Sequence, residues 1–408
     1  MTGRIKTVTN ANLTPQSPDD VLAAVRWAAA EHTPLEIIGQ GSKRALGRAM
    51  QTAHTLDLSQ LTGVTLFEPE ELVMTARAGT PLAEINALLD EHNQELQFEP
   101  MDTGPLLGRP GGQGTLGGLV NTNLSGPRRI KASSARDHVL GIAAVSGRGE
   151  VFKSGGRVVK NVTGYDLSKG VTGAWGTLAV LTDITMKVLP KAETEQTLVL
   201  TGLDDAAASA AMALAMGSNA EVSGAAHLPS GIEGSEAQTL LRLEGFEPSV
   251  AYRIENLSKM LGTHQNQARM TAKASREIWL TLRDCLPFAT HINRALWRIS
   301  CIPTQGHRIA AELRNKLGAE HFFDWQGGLI WLQLEGASSH AETVRQTLDA
   351  HGGGHAMLMR ASADERMAVP VFQPQPGPLA ALSQRYRENF DPHGILNPGR
   401  MVPQLVGA

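Results

Sequence analysis

The chain has 408 residues, of which 42% are hydrophobic and 19% charged, an ordinary globular balance with apolar material for two or three domains. A formal net charge of −3 and an aromatic content of 4% give no electrostatic or stacking ground for a nucleic-acid or membrane-surface partner. Two cysteines, Cys285 and Cys301, fall short of the roughly four ligands an iron–sulfur cluster needs, and read as free thiols rather than a structural disulfide.

At the N-terminus, Met1 to Asn12 is polar and lacks the apolar core of a signal peptide. No uninterrupted apolar run approaches the ~20 residues that cross a bilayer, so a cytoplasmic protein is expected. Ser17 before Pro18 and Asp20 predicts a helix start, with Val21, Leu22, Val25 and Ala29 on its apolar face. Leu35–Ile38 predicts a short buried strand, Leu72–Ala76 another, and Thr80-Pro81 opens a helix to about Glu91. Val139 to Phe152 reads as strand, Gly147-Arg148-Gly149 turn, strand, and Leu178–Leu189 as a long alternating strand closed by Pro190.

Beyond Pro190 glycine thins out. Strands are expected at Thr197–Leu200, Thr239–Leu243, Leu296–Ile302, Leu329–Leu334 and His355–Arg360. Helices at Asp204–Met216, Ser249–Leu261, His307–Leu317 and Ser339–His351 alternate with them, as in a second domain of strands backed by helices. A proline-rich linker from Gln373 to Pro378 precedes a terminal helix, Leu379–Asn389, and no internal repeat is visible.

Glycine is the unusual residue: 42 copies, clustered at 39–47, 104–126, 141–156 and 164–176, where backbone must run close to something or turn with positive φ. Gly39-Gln40-Gly41-Ser42-Lys43 follows a strand, so its N–H groups can converge on an anion, although a plain surface turn fits equally well. Gly112, Gly114 and Gly117 make a formal Gly-x-Gly-x-x-Gly with Asp137 about 20 residues on. The preceding Thr103–Pro110 carries two prolines and no apolar run, which rules out the dinucleotide fingerprint that must follow a buried strand. Thr115–Asn123 reads instead as a small-faced helix. Its glycines admit either a flat ring system or a tight helix–strand crossing. Gly155 to Leu167 leads into Gly173-Ala174-Trp175-Gly176-Thr177-Leu178, a glycine turn feeding the long strand, and Asp391-Pro392-His393-Gly394-Ile395-Leu396-Asn397-Pro398-Gly399-Arg400 presents Asn397 from a double turn.

These four segments, in this order, resemble the FAD-binding fold shared by vanillyl-alcohol oxidase, p-cresol methylhydroxylase and the flavin-dependent hydroxyacid dehydrogenases. The resemblance implies an α+β architecture: a two-subdomain FAD-binding domain (1–192), a smaller α/β cap (193–372) and a C-terminal segment (373–408) returning to the FAD domain. It implies that Gly39, Gln40, Gly41, Ser42 and Lys43 wrap the FAD pyrophosphate, and that Thr115, Gly117, Gly118, Asn121, Ser125 and Gly126 contact pyrophosphate and flavin. It also implies cofactor contacts from Gly176, Thr177 and Val180 and from Asn397 in the returning tail. Val159-Lys160-Asn161-Val162-Thr163-Gly164-Tyr165-Asp166-Leu167 and the Gly-Ala-Trp-Gly-Thr-Leu strand start are most similar to the smaller FAD-binding subunit of bacterial glycolate oxidase. Implied with that likeness are a larger flavin subunit and an iron–sulfur subunit as partners, a small hydroxy acid such as glycolate as substrate, and membrane association only through the complex, peripheral to the inner membrane.

Two departures from the family shape the expectations. Gly39 to Gly47 holds no histidine, so FAD is expected to be non-covalent. His351-Gly352-Gly353-Gly354-His355 lacks the acid, asparagine and final histidine of the metal cluster in stand-alone hydroxyacid dehydrogenases, so no metal is expected and a helix-ending glycine turn is. Oxidation of a 2-hydroxy acid needs a base and a carboxylate clamp besides the flavin. His291, His307 and His355 are candidates for the first, and Arg128, Arg129, Arg157 and Lys160 for the second, with none singled out. A stand-alone dehydrogenase of another 2-hydroxy acid, or a largely non-catalytic assembly subunit, are the alternatives.

Overall fold

Local chemistry starts the first helix where the sequence places it. The Ser17 hydroxyl accepts the Asp20 N–H at 3.2 Å, the Asp20 carboxylate accepts the Ser17 N–H at 2.9 Å, and Pro18 occupies the turn that needs no donor. The helix runs Pro18–Ala30 and buries Val21, Val25 and Ala28. The computed structural model describes residues 11–158, 164–262 and 266–403.

Two small sheets share one core in the first half. Leu35–Ile38 and Ala11–Leu13 flank His54–Asp57 in a three-stranded parallel sheet. Five antiparallel strands form the second, in the spatial order Val64–Glu68, Val73–Arg77, Ala179–Lys187, Val139–Ser146, Val151–Gly155. Helices Pro18–Ala30, Leu82–Glu91 and Leu116–Thr122 supply Val25, Ile85, Leu89, Leu119 and Val120 to the core these sheets share. At about 1.5–3 kcal/mol per buried aliphatic side chain, that apolar contact is what holds the two sheets together.

Between Thr194 and Arg360 one eight-stranded antiparallel sheet forms. Its spatial order is Gln267–Met270, Thr194–Thr201, Gln238–Gly245, Gly224–Leu228, Glu320–Asp324, Leu329–Gln333, Leu296–Cys301, Gly354–Arg360. This order contains an internal repeat that the sequence hides. In each half a strand–helix–strand unit brackets a third strand, and a second helix leads to the outer edge, the split βαββαβ pattern. The halves join edge to edge where His227 pairs Phe323. The expected cap of strands backed by helices takes this form.

Side chains alternate across the sheet, and each face has its own core. Leu198, Leu241, Ile299 and Ile330 face the covering helices with Met212, Val250, Ile309 and Val344. Val199, Leu240, Phe322 and Trp331 face the other way and join Leu46, Met101, Leu106, Leu124 and Trp175 of the first half. The tail then crosses back: Phe390 packs edge-on against Phe152 at 5.6 Å, and Leu396 bridges to Leu35 beside the three-stranded sheet. Among the described residues no helix is long and apolar enough to cross a membrane. Cys285 and Cys301 are both free.

Candidate functional site

The glycine loop leaves the end of Leu35–Ile38 and meets the start of helix Leu116–Thr122. Gly39 permits that meeting, because a Cβ there would stand 2.4 Å from the Thr115 hydroxyl. Thr115 in turn caps the helix, its hydroxyl accepting the Gly118 N–H at 3.3 Å. Gly41 adopts φ +73°, the left-handed turn that folds the loop back over the helix start.

Loop, helix, the Trp175-Gly176 turn and the tail border one cleft. Gly39, Gln40, Gly41, Ser42, Lys43, Thr115, Gly117, Gly118, Asn121, Gly176 and Asn397 line it. Ser125, Gly126, Thr177 and Val180 are not in that lining. Ser125 accepts the Ala135 N–H at 3.0 Å within the FAD half, and the Gly126 carbonyl next to it accepts the Trp325 indole N–H at 3.0 Å at the seam with the cap. The Thr177 hydroxyl donates to the Ala174 carbonyl at 2.7 Å, and Val180 sits in the core opposite Val145. Arg44, Leu58, Ala78, Thr122, Trp175, Leu181 and Arg400 also line the cleft. Trp175 and Arg400 lie inside the glycine motifs themselves, which is the signal that points to them.

The tail frames the cleft. Asn397 accepts the Ile37 N–H at 2.8 Å and donates its amide to the Trp175 carbonyl at 2.8 Å, riveting three segments at one point. Asn121 does the same one turn away, donating to the Gly117 carbonyl at 3.0 Å and accepting the Gly176 N–H at 3.1 Å. Gly117 and Gly118 differ in role. A Cβ on Gly117 would meet the Ala78 carbonyl at 2.9 Å, so this glycine serves the tight helix–strand crossing. A Cβ on Gly118 would instead come 3.9 Å from the Lys43 ammonium, on the cleft side.

Charge in the cleft is unevenly satisfied. Arg44 pairs with Glu36, its Nε donating at 3.0 Å, and Arg400 reaches Glu36 at 3.5 Å and the Leu46 carbonyl at 2.7 Å. Burial still pulls the Arg400 guanidinium down to about 10. Lys43 has no hydrogen bond or ion pair among the described residues, and loss of water brings its ammonium down to about 8 against the pull of Asp102. An unpaired cation beside a glycine loop and a capped helix start suits a pyrophosphate, and the small walls at Gly117, Gly118 and Ala78 suit a flat ring system. FAD therefore fits these residues. Among the described residues the lining contains no histidine, cysteine or tyrosine.

The other sequence candidates separate cleanly. A short 3₁₀ turn, Pro105–Leu107, rather than a strand, precedes Gly112, and Asp137 caps its own helix by accepting the Ser134 N–H at 2.9 Å, so the dinucleotide fingerprint is absent. After helix Ala341–Ala350, Gly352, Gly353 and Gly354 turn with positive φ into Gly354–Arg360, and His351 bonds Glu312 at 2.9 Å. Among the described residues no three His, Cys, Asp or Glu side chains are grouped to hold a metal ion. His291, His307 and His355 belong to the cap and none lines the cleft. Arg128 is consumed by Glu95 and Glu244 at 3.0 and 2.6 Å, Arg129 lies over Trp325, and Arg157 is exposed. Lys160 and the Val159–Thr163 part of its motif lie outside the described residues.

A sequence model described as FAD binding domain matches residues 9–155. Among solved structures, p-cresol methylhydroxylase superposes with a TM-score of 0.72 at 14% identity, over 99% of this chain and 91% of that one. A 4-ethylphenol oxidase from Gulosibacter chungangensis gives 0.70 at 13% identity, over 97% and 91%. Glycolate oxidase subunit GlcD of Bacillus subtilis (strain 168) is 25% identical over 60% of this chain and 49% of its own length. Glycolate oxidase subunit GlcE of Escherichia coli (strain K12) is 35% identical over 386 residues, 94% of this chain and 97% of that relative. The chain thus belongs to the family of GlcE-type glycolate oxidase subunits, FAD-binding flavoproteins with the p-cresol methylhydroxylase fold.

Proposed function

We propose that the chain is the smaller FAD-binding subunit of a complex that oxidises glycolate to glyoxylate. A larger flavin subunit and an iron–sulfur subunit stand beside it in this reading, and electrons leave through the clusters towards quinone. The observation that carries it is end-to-end similarity to GlcE, 94% of one chain on 97% of the other. Residues 1–192 and 373–408 would form the FAD-binding domain and 193–372 the cap.

FAD is held without a covalent bond, since the cleft lining offers no histidine, cysteine or tyrosine to attach it. Gly39 to Lys43 take the pyrophosphate, Lys43 supplying the charge. Thr115, Gly118 and Asn121 present the helix start to it, and Gly117 sets how near that helix can come. Gly176 and Asn397 fix the far wall, with Thr177 and Val180 behind it, Ser125 within the FAD half and Gly126 at the cap seam. Bound there, FAD supplies the two-electron acceptor for the carbinol C–H of the substrate. No histidine lines the cleft and no metal cluster stands in the described cap, which favours a subunit working with partners over a stand-alone dehydrogenase.

An anaerobic absorption spectrum of the purified chain, before and after glycolate, tests the reading. FAD is expected to co-purify, to be released by acid precipitation, and to stay oxidised until the partner subunits are added. A chain that holds no flavin after reconstitution sinks the proposal, and flavin left in the acid pellet sinks non-covalent binding. Bleaching by glycolate alone would transfer the reading to a self-sufficient dehydrogenase.

A further inference from the structure

Most charged side chains at the seam between the FAD half and the cap are paired. Arg242 donates to Glu99 at 2.8 and 3.0 Å, and Arg283 to Asp284 at 2.8 Å. Arg298 and Arg129 are the exceptions. Arg298 leaves the cap strand Leu296–Cys301 directly opposite Trp331, on the sheet face that meets the FAD half. Its guanidinium carbon lies 4.8 Å from the Trp325 ring centroid and 6.0 Å from that of Trp331. Arg129, from the short helix after the glycine segment, lies over the Trp325 ring at 4.4 Å. Among the described residues neither guanidinium makes a hydrogen bond or an ion pair, so their N–H donors are free.

Two guanidiniums on one ring, with no anion paired to either among the described residues, repel each other. Desolvation and the neighbouring Arg129 pull Arg298 down to about 10. The nearby Asp324 does not settle the debt: one of its oxygens accepts the Trp325 N–H at 2.7 Å, and burial pushes its acid up to about 7. Solvent reaches the stack, since Arg129 is exposed and Arg298 partly so. The stack is also tied to the FAD half, because the Trp325 indole donates to the carbonyl of Gly126, which ends the glycine segment. Trp175, which lines the cleft, belongs to the same apolar cluster as Trp325 and Trp331.

We propose that Arg298 and Arg129, stacked on Trp325 at the seam, form an anion subsite that takes the carboxylate of a small 2-hydroxy acid. This deepens the proposed function and rests on it. A carboxylate accepts two parallel N–H bonds from a guanidinium, and the tryptophan ring holds the guanidinium plane in place for them. An anion on Arg298 offsets the repulsion from Arg129 and gives its guanidinium a partner. Arg128, the adjacent candidate in sequence, is unavailable because its donors are spent on Glu95 and Glu244.

The test uses the full chain loaded with FAD, titrated by calorimetry at fixed ionic strength. The probes are oxalate, a small carboxylate with no oxidisable C–H bond, and oxamide, its neutral counterpart. The wild type is expected to prefer oxalate, Arg298→Met to raise the oxalate Kd at least about tenfold, and Arg298→Lys to restore part of the loss. The preference over oxamide should shrink in step, while flavin content stays at the wild-type level. Arg129→Gln, at an exposed position, keeps the test open if Arg298→Met does not fold. Equal binding of the two probes by the wild type, or full preference retained in the arginine variants, overturns the subsite. Flavin content separates the two failures: a wild type without FAD overturns the cofactor reading itself.

Discussion

Lys43 shows how much one residue can report about the cleft. Burial lowers its ammonium to about 8 in the ligand-free chain, whereas an adjacent pyrophosphate favours the charged form and raises it again. The sign follows. Below about pH 8 the ammonium is already charged and FAD binds without proton exchange. Above it, binding must take up a proton, so affinity falls with rising pH, by at most about tenfold per unit for one linked proton. Fluorescence titration of the apo chain with FAD between pH 7 and 10 should show a flat segment and then this decline. In Lys43→Met the decline should vanish, and the Kd at pH 7 should be about ten- to a hundredfold higher, as for loss of one charge-assisted contact. A pH dependence unchanged in the variant would remove Lys43 from the phosphate site. The residue was visible in the sequence because it follows Gly-Gln-Gly-Ser. Its lack of a partner was not, since that depends on how Asp102 and the helix start pack around it.

Helix Leu116–Thr122 carries two adjacent glycines with opposite duties, and substitution separates them. Gly117→Ala places a Cβ 2.9 Å from the Ala78 carbonyl and 3.0 Å from its Cβ, forcing helix and strand apart at a cost of about 1–3 kcal/mol. Gly118→Ala adds a methyl on the cleft side, 3.3 Å from the Thr115 hydroxyl, at a helical position where alanine is intrinsically favoured. Thermal unfolding of the apo proteins should therefore show a lower Tm for Gly117→Ala and little change for Gly118→Ala, while FAD affinity falls in both. The reverse order would mean the helix is turned about its axis from the position described. Elements with strong periodicity or caps were legible: Leu35–Ile38 matches to the residue, Ser17 caps the helix expected after it, and Thr115 and Asp204, expected as the first residues of their helices, are the caps. Strands without alternation were not. His54–Asp57 carries two polar residues and an acid in four, and Gly224–Leu228 is buried at all five positions. Helix Ala272–Arg283 went unread although Ser275, Ile278, Trp279 and Leu282 recur at helical spacing on its inward face.

At the scale of the whole molecule the question is what joins the FAD half to the cap, and the sequence held little of that answer. Strand pairing in the cap links residues far apart in the chain, so its two βαββαβ halves follow from register rather than from any repeated motif. The seam is likewise non-local. Arg128 and Arg242 meet Glu95 and Glu99 from the first half and Glu195 and Glu244 from the cap, in surroundings that exclude most water. Burial opposes every one of these charges. Arg242 and Arg128 nevertheless hold Glu99 below its ordinary value and Glu244 down at about 2, while burial wins at Glu95 and Glu195 and raises both. The carboxylates are thus balanced only while both arginines are present. Removing Arg242 leaves Glu99 with only a 3.7 Å side-chain contact to Arg128 and Glu244 with Arg128 alone, a loss of about 3–5 kcal/mol for a broken buried pair. In the wild type Glu244 stabilises the fold above an unfolded-state value near 4.5, and that contribution is lost as pH falls towards about 2, with Glu99 acting in the same direction. In Arg242→Met both carboxyls become weaker acids, so protonation relieves the uncompensated charge at a higher pH. The stability deficit of the variant, measured by urea unfolding, should accordingly be largest near pH 7 and narrow towards pH 5. A deficit that is constant across that range would assign Arg242 to packing against Trp279, over whose ring it lies at 4.6 Å, rather than to the charge balance of the seam.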